Sequence, residues 1–250
     1  MTLDIAADLG LYIRDSIGWN FSVLYDPFDR RQFLNGILGT IRLGVVCVLL
    51  SLIVGATGAV MQGASSRLLR AAVQGYVQFF RNTPPLVQLY FFYFGIGPLM
   101  PEMINEWGVP QPVLGSFGWA VLSLSLFAGA YNVEIFRSGI EAVPRSTVEA
   151  AEALGYTRLQ AFRYVVLPLG FRVCLPALNN NLINLVKTTS QAYAIAVPEI
   201  LYAAVQIYSD RLNVREMMIV MLLTYVLVVA FLVWAMTGWE KRLRIPGYST

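Results

Sequence analysis

Histidine is missing from this 250-residue chain, and with it the commonest general base and metal ligand of proteins. Charge is scarce too: 13% of residues are Asp, Glu, Lys or Arg, where a soluble domain carries roughly 25%. The two cysteines, Cys47 and Cys174, lie in apolar surroundings without disulfide or metal-ligand spacing, so they read as core residues. No glycine-rich loop ends in Lys-Ser/Thr, and no His-Glu-x-x-His run or cysteine cluster occurs. These gaps argue against a metal site, a histidine-based hydrolase, or an ATPase in this chain. A net charge of +3 is too small to imply nucleic acid, so none is expected as a partner. The opening MTLDIAADLG carries Asp4 and Asp8 but no basic stretch, and does not read as a cleaved signal peptide.

What fills the chain is hydrophobic residue, 57% of the total, too much for a protein whose surface is all in water. Five membrane spans are predicted, over about 37–60, 71–97, 117–136, 176–197 and 217–239, each near the roughly 20 residues that cross a bilayer. Residues 1–36 form an N-terminal interfacial segment, with Tyr12, Trp19, Phe21 and Tyr25 suited to the lipid headgroup level. Residues 37–250 are the transmembrane domain, in contact with membrane lipid. The second span is interrupted by Arg81, Asn82 and the Pro84-Pro85 pair. Such a break either belongs to a substrate cavity or is a proline kink, with Arg81 reaching a carboxylate.

Lys and Arg in the short connections set the orientation. One side collects Arg67, Arg70, Arg137, Arg145, Arg158, Arg163, Arg172, Lys241, Arg242 and Arg244; the other has Arg14, Arg30, Arg31, Arg211 and Arg215. The richer side should face the cytoplasm, which puts the N-terminus outside and the C-terminus inside.

The chain is organised around a mixed stretch on that cytoplasmic side, residues 146–168. Ser146 with Glu149, and Thr157 with Gln160, both have capping-box spacing, so two short helices are expected. Val148, Ala151 and Leu154 share one face of the first, and Leu159 and Phe162 belong to the second. Gly155 falls between them, where a helix end favours a left-handed residue. Together they make a docking knob.

The fourth span is polar for a membrane segment. Asn180, Asn184, Lys187 and Gln191 recur at steps of four, three and four, one face of a helix, flanked by Asn181 and Thr188. Lys187 sits near the bilayer centre, where an unpaired cation costs at least ~2.5–3.5 kcal/mol. The stripe therefore lines a water-filled path or bonds to neighbouring spans, and in the second case Lys187 pairs with Glu134. Glu134 and Arg137, three apart, can form a structural ion pair.

Two of these stretches carry a resemblance. Glu149-Ala150-Ala151, Gly155 and Leu167-Pro168 are similar to the EAA motif of ABC-importer permeases, the loop that docks on the cytoplasmic ATPase. The run RNTPPLVQLYFFYFG from Arg81 resembles the RGTPLLVQL stretch of the polar amino-acid uptake branch, the histidine, glutamine, glutamate and arginine type of permease. Asn82 stands where that branch has Gly, Ser146-Thr147 where it has Gly-Gln, and Gln191 where Leu is common. The resemblance covers about Gly36 to the C-terminus.

It implies an all-α membrane protein of the type I ABC importer fold, with five spans and a coupling-helix pair. It implies no enzyme: Glu149, Ala150, Ala151, Leu154 and Gly155 would engage an ATPase dimer, and ATP and Mg would be bound there rather than by this chain. The other implied partners are a second permease subunit, the same or homologous, and an extracytoplasmic amino-acid-binding protein. The location is the bacterial cytoplasmic membrane. Candidates for the substrate path are Asn180, Asn184, Lys187, Thr188, Gln191, Arg81 and Asn82. A non-transporting anchor or assembly subunit, and an exporter or channel, are the alternatives.

Overall fold

In the computed structural model, residues 2–104 and 106–243 are described. Arg244, counted among the cytoplasmic cations above, lies outside them. The elements in order are α1 (Thr2–Ile17), α2 (Ser22–Tyr25), α3 (Pro27–Gln62), α4 (Arg67–Asn82), α5 (Pro85–Tyr90), β1 (Glu102–Ile104), β2 (Pro110–Pro112), α6 (Ser116–Glu141), α7 (Arg145–Ala153), α8 (Arg158–Ala161), α9 (Leu167–Thr188), α10 (Ile200–Arg211) and α11 (Val214–Leu243). The fold is all-α; β1 and β2 form one small antiparallel hairpin.

Among the described residues, four stretches are long and apolar enough to cross a membrane: α3, α6, the continuous helical run Arg158–Ile195, and α11. The expected span over 71–97 is instead two pieces, α4 and a shorter apolar stretch, Pro85–Leu99. The reason is local. Proline has no N–H to donate and disfavours helix in the residue before it, so α4 stops at Asn82 and Thr83 is extended. Buried Gln88 then ties the break together. Its Nε2 donates to the Phe80 carbonyl at 2.9 Å and to Thr83 at its carbonyl (3.0 Å) and hydroxyl (2.6 Å), replacing helix bonds the prolines remove.

The helix that carries the first expected span starts well before it, at Pro27, because Asp26 Oδ1 accepts from the Phe28 and Asp29 backbone N–H groups at 2.8 and 3.4 Å. Asp followed by Pro is a strong helix start, a cap acceptor and then a residue with φ already fixed.

The described residues of 2–46, 89–121 and 186–230 form one compact unit, and those of 47–88, 122–185 and 231–243 another. The first buries Val23, Phe33, Ile200, Ala203, Ala204, Ile207 and Met217. Its N-terminal segment is pinned by polar bonds to the α10–α11 junction. Asn213 Nδ2 donates to the Asn20 carbonyl at 2.8 Å, the Asn20 N–H donates to Glu216 at 3.2 Å, and Arg211 Nε donates to Asp29 at 3.0 Å. Arg211 also pairs with Asp26. Asp29 and Asp26 together hold the Arg211 guanidinium above its ordinary pKa. These bonds tie residues 20–29 to the α10–α11 junction.

The second unit is held by polar side chains reaching between helices. Tyr76 donates to the Leu126 carbonyl at 2.6 Å, and Asn132 donates to Ser51 at 3.3 Å. Its helices also approach where side chains are missing. A Cβ added to Gly139 of α6 would lie 2.6 Å from the Gly170 carbonyl oxygen of α9, and one added to Gly170 would lie 2.9 Å from that of Gly139. Cys47 and Cys174 are buried and are not joined in a disulfide.

Candidate substrate path and coupling knob

The knob starts at Pro144, not at Ser146. Pro144 occupies the N-cap with no side-chain bond, and α7 begins at Arg145, so the expected Ser146–Glu149 capping box does not form. Pro144 holds extended backbone, φ −59° and ψ 140°, and the Thr147 N–H donates to its carbonyl at 3.0 Å; the helix is under way before Ser146 is reached. The second box is present. Gln160 N–H donates to Thr157 Oγ1 at 3.3 Å and Thr157 N–H to Gln160 Oε1 at 2.8 Å. That helix is not short: α8 passes through a π-helical stretch, Phe162–Val166, into α9.

Gly155 has φ +89°, a left-handed conformation that costs other residues roughly 1–2 kcal/mol. Around it Ala151 is buried, while Glu149 and Ala150 are exposed. Leu154 and Leu159 stand out at 81% and 75% exposure, apolar side chains suited to a partner surface rather than to water.

On α9, the residues Leu175, Leu178, Leu182 and Leu185 are buried, and Asn180, Asn184 and Lys187 are exposed on another side. Exposure and spacing agree that these three form one outward face. Asn181 does not belong to it. Its Nδ2 donates to the Ala128 carbonyl at 3.1 Å and to Asn132 Oδ1 at 2.8 Å, knitting α9 to α6. Thr188 is half-buried at the end of α9. Gln191 leaves the stripe, because the chain tightens into a 3-10 helix over Thr189–Ile195 and three residues per turn swing it away. Its Oε1 is buried without a hydrogen-bond partner.

Lys187 lines a wide-open groove of about 510 Å³ together with Ser190, Tyr225, Val226, Val229 and Ala230. One cation beside an otherwise mostly apolar wall suits a single carboxylate. Ser190 Oγ donates to the Lys187 carbonyl at 2.9 Å. The Tyr225 hydroxyl donates to Glu199 Oε2 at 2.7 Å. Glu199 is fully buried and caps α10, accepting from the Leu201 and Tyr202 N–H groups at 2.9 and 2.8 Å; the helix N-terminus supplies positive potential in place of a cation. Ser190, Tyr225 and Glu199 were not among the residues singled out from the sequence. A polar residue inside the cleanest apolar span was the signal for Tyr225, and Pro198-Glu199 before an apolar run was the signal for the cap.

Arg81 and Asn82 stand elsewhere in this arrangement. Arg81 NH1 lies 3.9 Å from Glu134 Oε2, and its guanidinium is 5.2 Å from the centre of the Tyr131 ring. Arg137 donates to the same Glu134 oxygen at 2.9 Å and to Glu141 at 3.0 Å, and Gln62 approaches Glu134 at 3.5 Å. Glu134 is thus held by two arginines and an amide. Asn82 Nδ2 donates to Gln78 at 3.0 Å. The proline break positions a structural ion cluster, with Arg81 reaching a carboxylate.

A helical membrane chain with an exposed apolar knob, a broken second span and a lysine beside an open groove fits a transport component. Residues 48–245 match the model of the family described as binding-protein-dependent transport system inner membrane component, and the chain belongs to this family. It is 32% identical to the glutamate/aspartate import permease protein GltJ of Escherichia coli K12, over 93% of this chain and 98% of that protein. It is 30% identical to the probable glutamine ABC transporter permease protein GlnM of Bacillus subtilis, over 90% of this chain and 98% of the relative. Among solved structures it resembles an amino acid ABC transporter crystallised with histidines, with a TM-score of 0.75 and 28% identity, over 85% of this chain and 94% of that one. The fold is that of type I ABC importer permeases, and the chain is a membrane permease subunit rather than an enzyme.

Proposed function

We propose that this permease carries a polar amino acid, acidic or neutral, through the bacterial cytoplasmic membrane, and that Lys187 meets the cargo's carboxylate on the way. The observation that carries this reading is the outward polar face of α9, Asn180, Asn184 and Lys187, on a helix otherwise packed by leucine. A lysine in a spanning helix does not stand against lipid without a cost of at least ~2.5–3.5 kcal/mol, so water, cargo or a second permease chain covers it. The glutamate/aspartate and glutamine names of the relatives support an acidic or neutral cargo. Thr188 ends the stripe; Gln191 is turned away from it by the 3-10 helix, Arg81 belongs to the ion cluster at the break, and Asn82 bonds to Gln78.

The energy is ATP, bound with Mg by a separate cytoplasmic ATPase dimer that grips the knob through Leu154 and its neighbours Glu149, Ala150, Ala151 and Gly155. A binding protein outside the membrane delivers the cargo, and the path closes between two permease chains. ATP-driven movement of the knob shifts a two-state equilibrium of the spans. The excess of basic residues on the knob side supports an N-terminus outside and a C-terminus inside. An engineered thiol at Glu106 should then be labelled from outside and one at Glu152 only after the membrane is opened; the reverse pattern would invert the assignment.

The decisive measurement is uptake of a panel of labelled amino acids into vesicles holding the reconstituted transporter, with the binding protein saturating. Lys187→Met should cut uptake of every cargo by tenfold or more while the complex still assembles on gel filtration; tenfold corresponds to about 1.4 kcal/mol. Loss of assembly with no separate transport defect would make the stripe helix glue, and the chain an anchor or assembly subunit.

A further inference from the structure

Glu199, fully buried at the head of α10, does more than cap a helix. A cap needs one acceptor oxygen, and Ser, Thr, Asp and Asn supply it on a short side chain. Glutamate is longer, and burying its charge costs free energy that a hydroxyl cap avoids. What the extra length reaches is Tyr225. Oε1 accepts from the Tyr202 N–H at 2.8 Å, while Oε2 accepts from the Leu201 N–H at 2.9 Å and the Tyr225 hydroxyl at 2.7 Å.

The carboxylate is itself held from α3. Buried Thr40 accepts from the Ile200 N–H at 3.1 Å, and its hydroxyl is also a hydrogen-bond partner of Tyr225. One turn earlier, a Cβ on Gly36 would lie 2.9 Å from the Glu199 carbonyl oxygen, and one on Gly39 would collide with that of Pro198. The α3 backbone thus lies directly on the Pro198–Glu199 peptide. A polar atom seated this closely has little freedom, and neither has the hydroxyl bonded to it.

Tyr225 carries that order to the groove beside Lys187. It lines the groove with Val226, Val229 and Ala230, one face of α11, while Lys187 and Ser190 come from α9 and the 3-10 turn after it. With its hydroxyl engaged at Glu199, Tyr225 offers cargo its ring. We propose that Glu199 is a positioning residue for cargo selection: it fixes the Tyr225 ring as the wall against which the cargo's side chain is measured. The inference rests on the reading that cargo passes Lys187, since it needs cargo in this groove.

Uptake into reconstituted vesicles tests it, with each labelled amino acid presented on saturating binding protein so that the remaining spread of rates belongs to the permease. Glu199→Ser keeps a cap acceptor for α10 but is too short to reach Tyr225. Tyr225→Phe keeps the ring and removes its anchor. Each should shrink the ratio between the fastest and slowest carried amino acids by about threefold, within the reach of one hydrogen bond. The double variant should shrink it no further than either single, because both break the same bond. Lys187→Met reads the other claim: all rates should fall together, with the ratio kept. Full uptake by Lys187→Met, with the ratio still shrunk by Glu199→Ser, would overturn the role of Lys187 alone. Proportionate losses in Glu199→Ser and Tyr225→Phe, additive effects in the double variant, or equal rates across the panel in the wild type would overturn the inference. If Glu199→Ser does not assemble on gel filtration, Glu199→Asp, a shorter carboxylate that keeps charge and cap, takes its place. Failure of both to assemble would assign Glu199 to the fold and overturn the positioning role.

Discussion

Asn179, Asn180 and Asn181 are consecutive copies of one side chain, and α9 turns each about 100° from the last, so they stand on three different sides. Two of these are packed: Asn179 is buried, with Nδ2 donating to Glu240 at 3.2 Å and to the Met236 carbonyl at 3.4 Å, and Asn181 bonds to α6. On the third, Asn180 shares exposure with Asn184 and Lys187. The difference teaches that polarity in a membrane helix has two uses with opposite signatures. Asn179 and Asn181 spend their N–H donors on α11 and α6, whereas Asn180 stands on the exposed face proposed for the path. Periodicity groups residues by face, but only their partners say which use each face has.

The comparison can be broken from either side. Asn181→Leu removes two interhelical bonds and strands the Asn132 oxygen. Unmet polar groups cost ~1–3 kcal/mol, although hydrogen bonds between membrane helices average nearer ~0.6 kcal/mol. A loss of about 1 kcal/mol is expected, read as a lowered thermal midpoint in detergent, with the ranking of cargoes unchanged. A changed ranking at full stability would move Asn181 to the path side. Gln191→Leu should do least. Its oxygen is already buried and unpartnered, so removing it should hold stability within ~0.5 kcal/mol or improve it. Cargo affinity should shift by less than about threefold, below the tenfold ceiling of one hydrogen bond. A larger shift in uptake kinetics would extend the exposed face past the end of α9.

Much of this was legible before any coordinates. Thr157 and Gln160 announced their box, and Gly155 its left-handed turn, because both are contests settled among neighbours. The break after Asn82 followed from two prolines. The failures were contests with a competitor close by or far away. Ser146 lost its cap to Pro144, two residues earlier. The start of α3 was hidden because Asp29, Arg30 and Arg31 look unlike a span, though Asp26-Pro27 marks it and Arg211 supplies the tertiary partner of Asp29. Lys187 and Glu134 looked like a pair of opposite charges, yet Arg137 and Arg81 hold Glu134. Glu199 and Tyr225 are 26 residues apart, and nothing local announces their bond.

The Gly139–Gly170 contact has a consequence for what binds these helices at all. In lipid there is no hydrophobic gain in pressing two apolar helices together, since acyl chains are as apolar as leucine. Attraction must come from dispersion, which fades over fractions of an ångström, and from weak Cα–H···O contacts that need backbones almost touching. Two facing glycines permit that approach, with each carbonyl oxygen within 2.9 Å of where the other's Cβ would stand. The join is therefore made by what both residues omit, and a single added methyl on either side would act as a wedge.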